Sequence, residues 1–326
     1  MKKILTIVGI LSILGGINKV EAQLIPQFSQ YMFNGLYINP AYAGYKDVMY
    51  GHVMYRKQWV DIESSPRTAL ISIDGPVGKG SNLGFNYAND KLGAAYSNSF
   101  MLDYAFKIKT SESGRLSFGL AAGMVQQGID RLKLLDVNGN PTTDPRILNI
   151  ETTWKPSFDA GIYFDSKYFF AGISVVGLFS KADDKAFKVI RTSTNYFFTT
   201  GFVIPISDGL RLMPSTFFGT DLKNPLKIDL NALFTIADKF SIGGSYRTGT
   251  LWFSDVKDNV AGQDNVKLRD AIALIAEVYL SERVRLGFAY DFDLNNLTQG
   301  HNGGFEVSLG YYLTKPKQRY VMPRYF

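Results

Sequence analysis

Apolar and polar side chains alternate with a period of two residues near the C-terminal end of the chain. In one such segment the apolar residues that share a face are Val284, Leu286, Phe288, Tyr290 and Phe292. The positions between them carry arginine, glycine, alanine and aspartate. Because successive side chains of a β-strand point to opposite faces, this segment is predicted to be a strand with one apolar and one polar face.

The same alternation recurs in other segments, including 228–235, 240–247 and 305–314. Turn signals separate these segments, and the pattern as a whole predicts an all-β chain of about fourteen strands, an even number as in single-chain bacterial barrels. The predicted strands lie near residues 47–60, 66–77, 81–89, 95–109, 114–128, 155–165, 167–180, 193–206, 209–220, 225–237, 239–249, 268–281, 283–293 and 302–314.

Tight turns and longer connections alternate along this series. Short periplasmic turns and long extracellular loops are typical of outer-membrane barrels, so the rhythm favours an up-and-down barrel with both chain ends on the periplasmic side. A soluble β-sandwich would share the period of two but does not require this rhythm. The tight turns are predicted at 111–114, 165–166, 207–209, 237–238 and 281–282, and most connections between them are longer, as at 128–155, 181–193, 250–267 and 294–301.

The longest uncharged apolar stretch within the predicted barrel is too short for a membrane helix. It runs from Tyr168 to Ser180. As a helix it would rise only about 20 Å, against about 30 Å for the hydrocarbon core, whereas a tilted strand needs only about ten residues. A closed sheet also gives every backbone polar group a partner in lipid. The sequence therefore predicts a transmembrane antiparallel β-barrel over residues 47–314.

The first residues have the pattern of a signal peptide. Lys2 and Lys3 precede an apolar run, and Val20-Glu21-Ala22 resembles a cleavage site. Residues 1–22 are therefore predicted to be a signal peptide, and a retained anchor, the alternative, would have an unusually short span. Residues 23–46 are predicted to be a lumen plug or a periplasmic segment, and residues 315–326 a periplasmic tail.

A barrel of this size has a lumen that must be filled, plugged or open. The polar faces of the predicted strands would bring charges inward, and these should pair with each other or with a plug, because an unpaired buried charge is costly. We expect Arg285 and Arg247 to pair with carboxylates of neighbouring strands or with the N-terminal segment. The predicted inward charges are Asp103, Arg247, Glu277, Arg285, Asp291, Asp293 and Glu306.

Composition narrows the function. The chain has no cysteine, two histidines and a net charge of +6. These features disfavour disulfides, thiol catalysis, a histidine-based triad or a multi-histidine metal site, and the charge is too small and dispersed to indicate nucleic-acid binding. No nucleophile with a base is visible. We therefore predict a protein that is not an enzyme, with no cofactor, no metal and no nucleic-acid partner.

The stretch QFSQYMFNGLYINPAYAG, Gln27 to Gly44, resembles the opening of the PorP/SprF family of type IX secretion system membrane proteins of gliding and protein-secreting Bacteroidota. The similarity continues at Arg56, Gln58 and Trp59, and at the final Pro323 to Phe326. Many members place histidine directly before glutamate near the last strand, whereas His301 and Glu306 are separated here. The motif residues considered as plug candidates are Gln30, Tyr31, Asn34, Asn39, Pro40, Tyr42 and Gly44.

The resemblance implies an outer-membrane barrel similar to the long-chain fatty acid transporter fold. It also implies a role in the export or cell-surface anchoring of a secreted protein, of gliding or adhesin type, that carries a C-terminal sorting domain. The implied partners are that secreted protein, other type IX secretion components and outer-membrane lipid. The alternative is an outer-membrane pore or transporter for small or hydrophobic molecules, which barrel size and fold alone suggest only weakly.

Overall fold

A computed structural model describes residues 28–134, 152–178, 193–250, 269–294 and 302–314 of the chain. The predicted signal peptide, the predicted tail from residue 315 and most of the longer connections lie outside these residues. Fifteen strand segments are present in this part of the chain. They are β1 (Tyr50–Lys57), β2 (Arg67–Pro76), β3 (Ser81–Leu92), β4 (Ala95–Lys109), β5 (Arg115–Ile129), β6 (Thr153–Asp165), β7 (Phe169–Leu178), β8 (Asn195–Phe202), β9 (Ile204–Ser207), β10 (Leu210–Thr220), β11 (Leu226–Ile236), β12 (Phe240–Thr250), β13 (Arg269–Tyr279), β14 (Val284–Asp293) and β15 (Gly304–Tyr312).

The strands form one antiparallel sheet that closes on itself. Each strand pairs with the next one in the chain, except that β8 pairs with β10, and β1 pairs with β15 from Tyr50 opposite Tyr312 to Lys57 opposite Phe305. β8 and β9 pair in succession with the same strand, β10, and are separated only at Val203. They are two parts of one strand, so the predicted barrel of about fourteen strands is confirmed.

The interruption at Val203 has a local cause. Pro214 of β10, which faces Phe202 in the register shared by β8 and β9, has no N–H to donate across the break. Alternation nevertheless continues through the break, because the side chain of Val203 is buried and those of Phe202 and Ile204 are exposed.

The outward face of the barrel is apolar. Leu102 and Leu120 are 67% and 65% exposed, and Leu274 and Ile173 exceed one half. Such a continuous exposed apolar surface is unfavourable in water and is typical of strands that face lipid. The predicted faces are confirmed in β14, where Leu286, Phe288 and Phe292 point outward and Arg285 and Asp291 are buried.

Helical structure is limited to short 3₁₀ turns within the described residues. No helix of this part of the chain has the length and apolar character needed to cross a membrane. The turns span Tyr31–Phe33, Gly35–Tyr37, Pro40–Tyr42 and Arg131–Lys133.

The two ends of the barrel differ. At one, here called the short-turn end, β1 begins, β15 ends and all connections are brief, as in Thr110–Gly114 between β4 and β5. At the other, the long-loop end, most connections are longer, with a two-residue exception between β3 and β4. The predicted alternation of connection lengths is therefore present.

Candidate functional site: the N-terminal segment inside the barrel

Residues Phe28–Lys46, here called the N-terminal segment, lie inside the barrel. Ser29 contacts Glu306 near the start of β15, at the long-loop end, and Gly44 contacts Lys107 near the end of β4, at the short-turn end. The segment therefore crosses the lumen from the long-loop end downward before β1 leads back up. The prediction that both chain ends lie on the periplasmic side concerns residues before Phe28 and after Thr314, which lie outside the described part of the chain.

Local sequence chemistry shapes the segment. The Asn39 side chain accepts a hydrogen bond from the Ala41 N–H at 2.9 Å and caps the turn that Pro40 begins. Gly44 has a φ of +69°, a conformation that glycine adopts without strain. These residues belong to the motif Gln27 to Gly44 described above. They give the segment the compact bends that allow it to fit inside the lumen.

At the long-loop end, carboxylates on the barrel wall hold the start of the segment. Glu306 accepts hydrogen bonds from the N–H groups of Ser29 at 2.6 Å and Gln30 at 2.9 Å. The Ser29 hydroxyl donates to Asp291 at 2.6 Å. Arg56 on β1 pairs with Asp291 at 2.6 Å and with Glu306. This arrangement ties the segment to β1, β14 and β15 together.

Arg247 extends this group to the neighbouring strands. It pairs with Asp229 at 3.3 Å, lies 3.8 Å from Asp291, and donates to the Ser29 hydroxyl at 3.0 Å. We call Arg56, Asp229, Arg247, Asp291 and Glu306 the ion network. All five side chains are at least nine-tenths buried. Its three carboxylates outnumber its two guanidinium groups, and the segment's N–H and hydroxyl donors help to stabilise the excess negative charge.

Neutral hydrogen bonds hold the middle of the segment. The Asn231 amide donates to the Tyr31 hydroxyl oxygen at 2.6 Å, and the Asn34 amide donates to the Ser72 hydroxyl at 2.9 Å. The Asn39 amide donates to the Ile162 carbonyl at 3.1 Å. These three partners lie on β11, β2 and β6, and Glu306 of the ion network lies on β15. The segment is therefore fixed to the wall on several sides.

At the short-turn end, charges again hold the chain. The Gly44 N–H donates to Asp74 at 2.7 Å, and Lys107 donates to the Gly44 carbonyl at 2.6 Å. Asp47, which follows the segment, pairs with Lys107 at 2.8 Å and with Arg115 at 2.7 Å. The end of the segment is thus fixed beside the turn that joins β4 and β5.

Arg285 forms a second buried charged group. It pairs with Glu277 on the neighbouring strand and donates to the Tyr312 hydroxyl at 3.3 Å. Its guanidinium carbon lies 5.6 Å from the ring centre of Phe33 and 5.0 Å from that of Tyr279. These distances allow cation–π attraction, so Arg285 links the wall to an aromatic residue of the segment.

Glycines on the inner wall make room for the segment. A Cβ atom added at Gly119 would lie 2.0 Å from the Ala41 nitrogen and 2.3 Å from the Pro40 carbonyl carbon. One added at Gly161 would lie 2.1 Å from Asn39 Oδ1. Real atoms do not approach so closely, so the wall and the segment are shaped to each other. Tyr31, Tyr42 and Tyr163 also line a remaining internal cavity of about 40 Å³, which has room for only a few water molecules.

The structure brings most of the predicted site residues together but separates some of them. Asp291, Glu306 and Arg247 meet in the ion network, and Glu277 and Arg285 form the second group. Asp103 accepts a hydrogen bond from Asn86 at 2.8 Å, away from both groups. Asp293 lies half-buried at the end of β14. Within the described ranges, no group of three histidine or acidic side chains could hold a metal ion.

Arg56, Asp229 and Ser29 were not among the predicted lumen residues. Asp229 was recognisable, because it lies on the polar face of a clearly alternating strand. Arg56 was not, because β1 has polar or charged residues on both faces, with Lys57 beside Arg56. Ser29 is uncharged and lies outside the alternating segments, so the sequence pattern does not single it out.

Replacing Tyr31 by Phe tests how firmly the middle of the segment is held. The variant removes the oxygen to which Asn231 donates, and we expect it to lower the free energy of unfolding by about 1 kcal/mol. Urea unfolding of the detergent-solubilised barrel, followed by tryptophan fluorescence, measures this. Tyr311→Phe removes the same atom from an outward-facing ring and should change little; an equal loss in both variants would contradict the assignment.

Comparison with known proteins finds one matching family and several solved structures of similar fold. The family model described as type IX secretion system membrane protein PorP/SprF matches residues 20–311. No curated protein matches the chain. Among solved structures, a Pseudomonas aeruginosa FadL homologue matches with 10% identity and a TM-score of 0.47, over 90% of this chain and 96% of that one.

Two other solved structures are similar at the same low level of identity. The TodX deltaS2S3 mutant monoaromatic hydrocarbon channel matches with 8% identity and a TM-score of 0.49, over 87% of this chain and 94% of that one. Acinetobacter baumannii outer membrane protein Omp33 matches with 9% identity and a TM-score of 0.45, over 82% of this chain and 100% of that one.

Proposed function

Because the chain belongs to the PorP/SprF family of type IX secretion system membrane proteins, we propose that it is a non-enzymatic outer-membrane barrel that assists the export or cell-surface anchoring of one secreted protein. That protein would carry a C-terminal sorting domain and belong to the gliding or adhesin type. Other type IX secretion components are its further partners. In such a barrel the long-loop end faces the cell exterior and the short-turn end faces the periplasm.

The single observation that best supports a docking role is the occupied lumen. The N-terminal segment is held at both ends and in the middle by buried polar contacts, and its residues Ser29, Gln30 and Ala43 are fully buried. A barrel adapted mainly to pass small solutes needs a continuous wet or apolar path. Here the space inside is taken up by the protein itself. The longer connections at the long-loop end suit recognition of a protein partner.

The alternative is a pore or transporter for small or hydrophobic molecules, and reconstitution separates the two. In planar lipid bilayers, the purified protein without partners should conduct no steady current under the docking proposal. Sustained conductance, or swelling of liposomes in small sugars, would favour the pore.

Deleting the gene is the direct test in cells. The mutant should lose one surface protein with a C-terminal sorting domain, while uptake of small molecules stays normal. Labelling of intact cells followed by mass spectrometry identifies the missing protein, and a plasmid copy of the gene serves as the control by restoring it. An unchanged set of surface proteins in the mutant would refute the proposal.

Capture of the partner completes the test. A tagged copy, purified from detergent-solubilised outer membranes, should bring down the same secreted protein that the deletion strain loses. A match between the two experiments supports docking. Capture of only the general secretion machinery would instead indicate a shared structural role.

A further inference from the structure

The outward-facing side chains of β2–β5 change in type toward the long-loop end, and three successive levels can be distinguished. The strand registers place Tyr87 opposite Phe100 at the top of the apolar surface. Two residues higher, Asn89 lies opposite Asn98, and Asn98 lies opposite Gln126. Two residues higher again, Arg67 lies opposite Lys91. On β3 the outward face therefore passes from aromatic to amide to cationic side chains within four residues, while the residue opposite Lys91 on β4 is Tyr96.

The amide level is ordered by side-chain hydrogen bonds across the strands. The Asn89 amide donates to Asn98 Oδ1 at 2.6 Å, and the Asn98 amide donates to Gln126 Oε1 at 2.8 Å. The Tyr87 hydroxyl donates to the same Asn98 oxygen at 2.9 Å. Amides that satisfy one another in this way form a polar row on a face that is apolar further down. Such a change is expected where strands leave the hydrocarbon core of the membrane.

Basic side chains surround two open grooves above the amide row. One groove, of about 590 Å³, is lined by Arg67, Lys91 and Lys133 with Glu63 and serine residues. The other, of about 540 Å³, is lined by Lys91, Arg131 and Lys133 with Asp130. We call Arg67, Lys91, Arg131 and Lys133 the rim patch. All four are exposed, and only two acidic residues, Glu63 and Asp130, line the same grooves.

The rim patch belongs to one sector of the barrel. On β14 and β15, the described outward residues nearest the long-loop end are Tyr290, Phe292 and Phe305. They are aromatic, as is common where a barrel meets the membrane interface. The rim patch therefore differs from the outward face of β14 and β15 at the same end of the barrel.

The height of the patch matches that of lipid headgroups. Strands rise about 3.4 Å per residue and tilt by about 40°, so each level stands about 5 Å above the one below. The amide row and the cations therefore lie about 5 and 10 Å above the apolar surface, and the polar headgroup layer is about 5–8 Å thick on each side. Long basic side chains at its upper boundary reach back into that layer.

From this placement we propose that the rim patch binds the phosphate groups of a phosphorylated glycolipid in the outer leaflet, with its acyl chains against the apolar face below. Guanidinium and ammonium groups recognise phosphate strongly. The amide row suits the hydroxyl and carbonyl groups that join the phosphate-bearing sugars to the acyl chains. The site would fix one lipid to one side of the barrel, beside the longer connections.

Native mass spectrometry of the full-length protein in maltoside micelles tests the proposal. The probes are phosphorylated lipid A, fully dephosphorylated lipid A with the same acyl chains, and inorganic phosphate. Each surface lysine contributes about fivefold to binding of an anionic lipid, so Lys91→Gln with Lys133→Gln should weaken binding of phosphorylated lipid A about 30-fold. Lys91→Arg with Lys133→Arg keeps the charges and should preserve binding.

Lys167→Gln with Lys239→Gln is the matched control, since it removes two charges beside turns of the short-turn end. The control should bind like the unmodified protein, and folded migration on unheated gels confirms that every variant is intact. Equal binding of dephosphorylated lipid A would overturn the proposal, as would an unaffected glutamine variant. Saturation by inorganic phosphate alone, or loss of lipid binding in the arginine variant, would also overturn it.

Discussion

Arg56→Met is expected to destabilise the folded barrel by about 3–5 kcal/mol, the typical cost of removing one partner from a buried ion pair. Arg56 is 3% exposed and pairs with both Asp291 and Glu306. Without it, the ion network keeps three carboxylates and only the guanidinium group of Arg247. The free energy of unfolding in urea, followed by tryptophan fluorescence in detergent micelles, measures the loss.

Two further variants show whether the loss comes from the network. Arg283→Met removes an arginine from the exposed turn between β13 and β14 and should change stability by less than about 0.5 kcal/mol. Glu306→Gln added to Arg56→Met should recover part of the loss, because it removes one of the carboxylates left unpaired. A loss below 1 kcal/mol for Arg56→Met would mean that the network contributes little to stability.

Gly119→Ala is expected to push the N-terminal segment out of its place. The new methyl carbon would meet the backbone of Ala41 at 2.0 Å and that of Pro40 at 2.3 Å, and neither can swing away as a flexible side chain could. Overpacking of this kind costs about 1–3 kcal/mol. Since the strand itself tolerates alanine, the strain should fall on the segment. Protease digestion of the reconstituted protein should then cleave within residues 28–46, where the unmodified protein resists.

The matched control is Gly51→Ala on β1, where the nearest atom to the new carbon is the Ser72 carbonyl oxygen at 3.9 Å. This variant should resist protease as the unmodified protein does. Planar-bilayer recording adds a second measurement: steady conductance in Gly119→Ala but not in Gly51→Ala would identify the segment as what keeps the lumen closed. If Gly119→Ala resisted protease and stayed silent, the segment would not depend on the close fit at this wall.

The strands could be predicted from the sequence because their signal is local. Alternation with a period of two needs only neighbouring residues, and β4 was predicted at 95–109 and found at Ala95–Lys109. The side chains that meet inside the barrel could not be predicted in the same way. Ser29 and Glu306 are 277 positions apart and come together only when β1 pairs with β15. No local sequence pattern shows how β1 and β15 are aligned.

The candidate site was therefore only partly predictable. The polar character of the N-terminal segment suggested a lumen location but equally a periplasmic arm, and only the contacts with the wall distinguish the two geometries. Arg285 and Glu277 could be assigned to inner faces, yet their pairing depends on the relative register of β13 and β14. Whether the segment acts as a plug in the membrane is tested by Gly119→Ala.

The junction between the first and last strands has a consequence for biogenesis. Arg56 lies on one side of this junction and Glu306 on the other, and both contact Ser29. A polypeptide that has not yet added its last strand has no Glu306 to receive the N–H groups of Ser29 and Gln30. Completion of the cylinder and docking of its own leading residues should therefore occur as one late, cooperative step during insertion into the membrane.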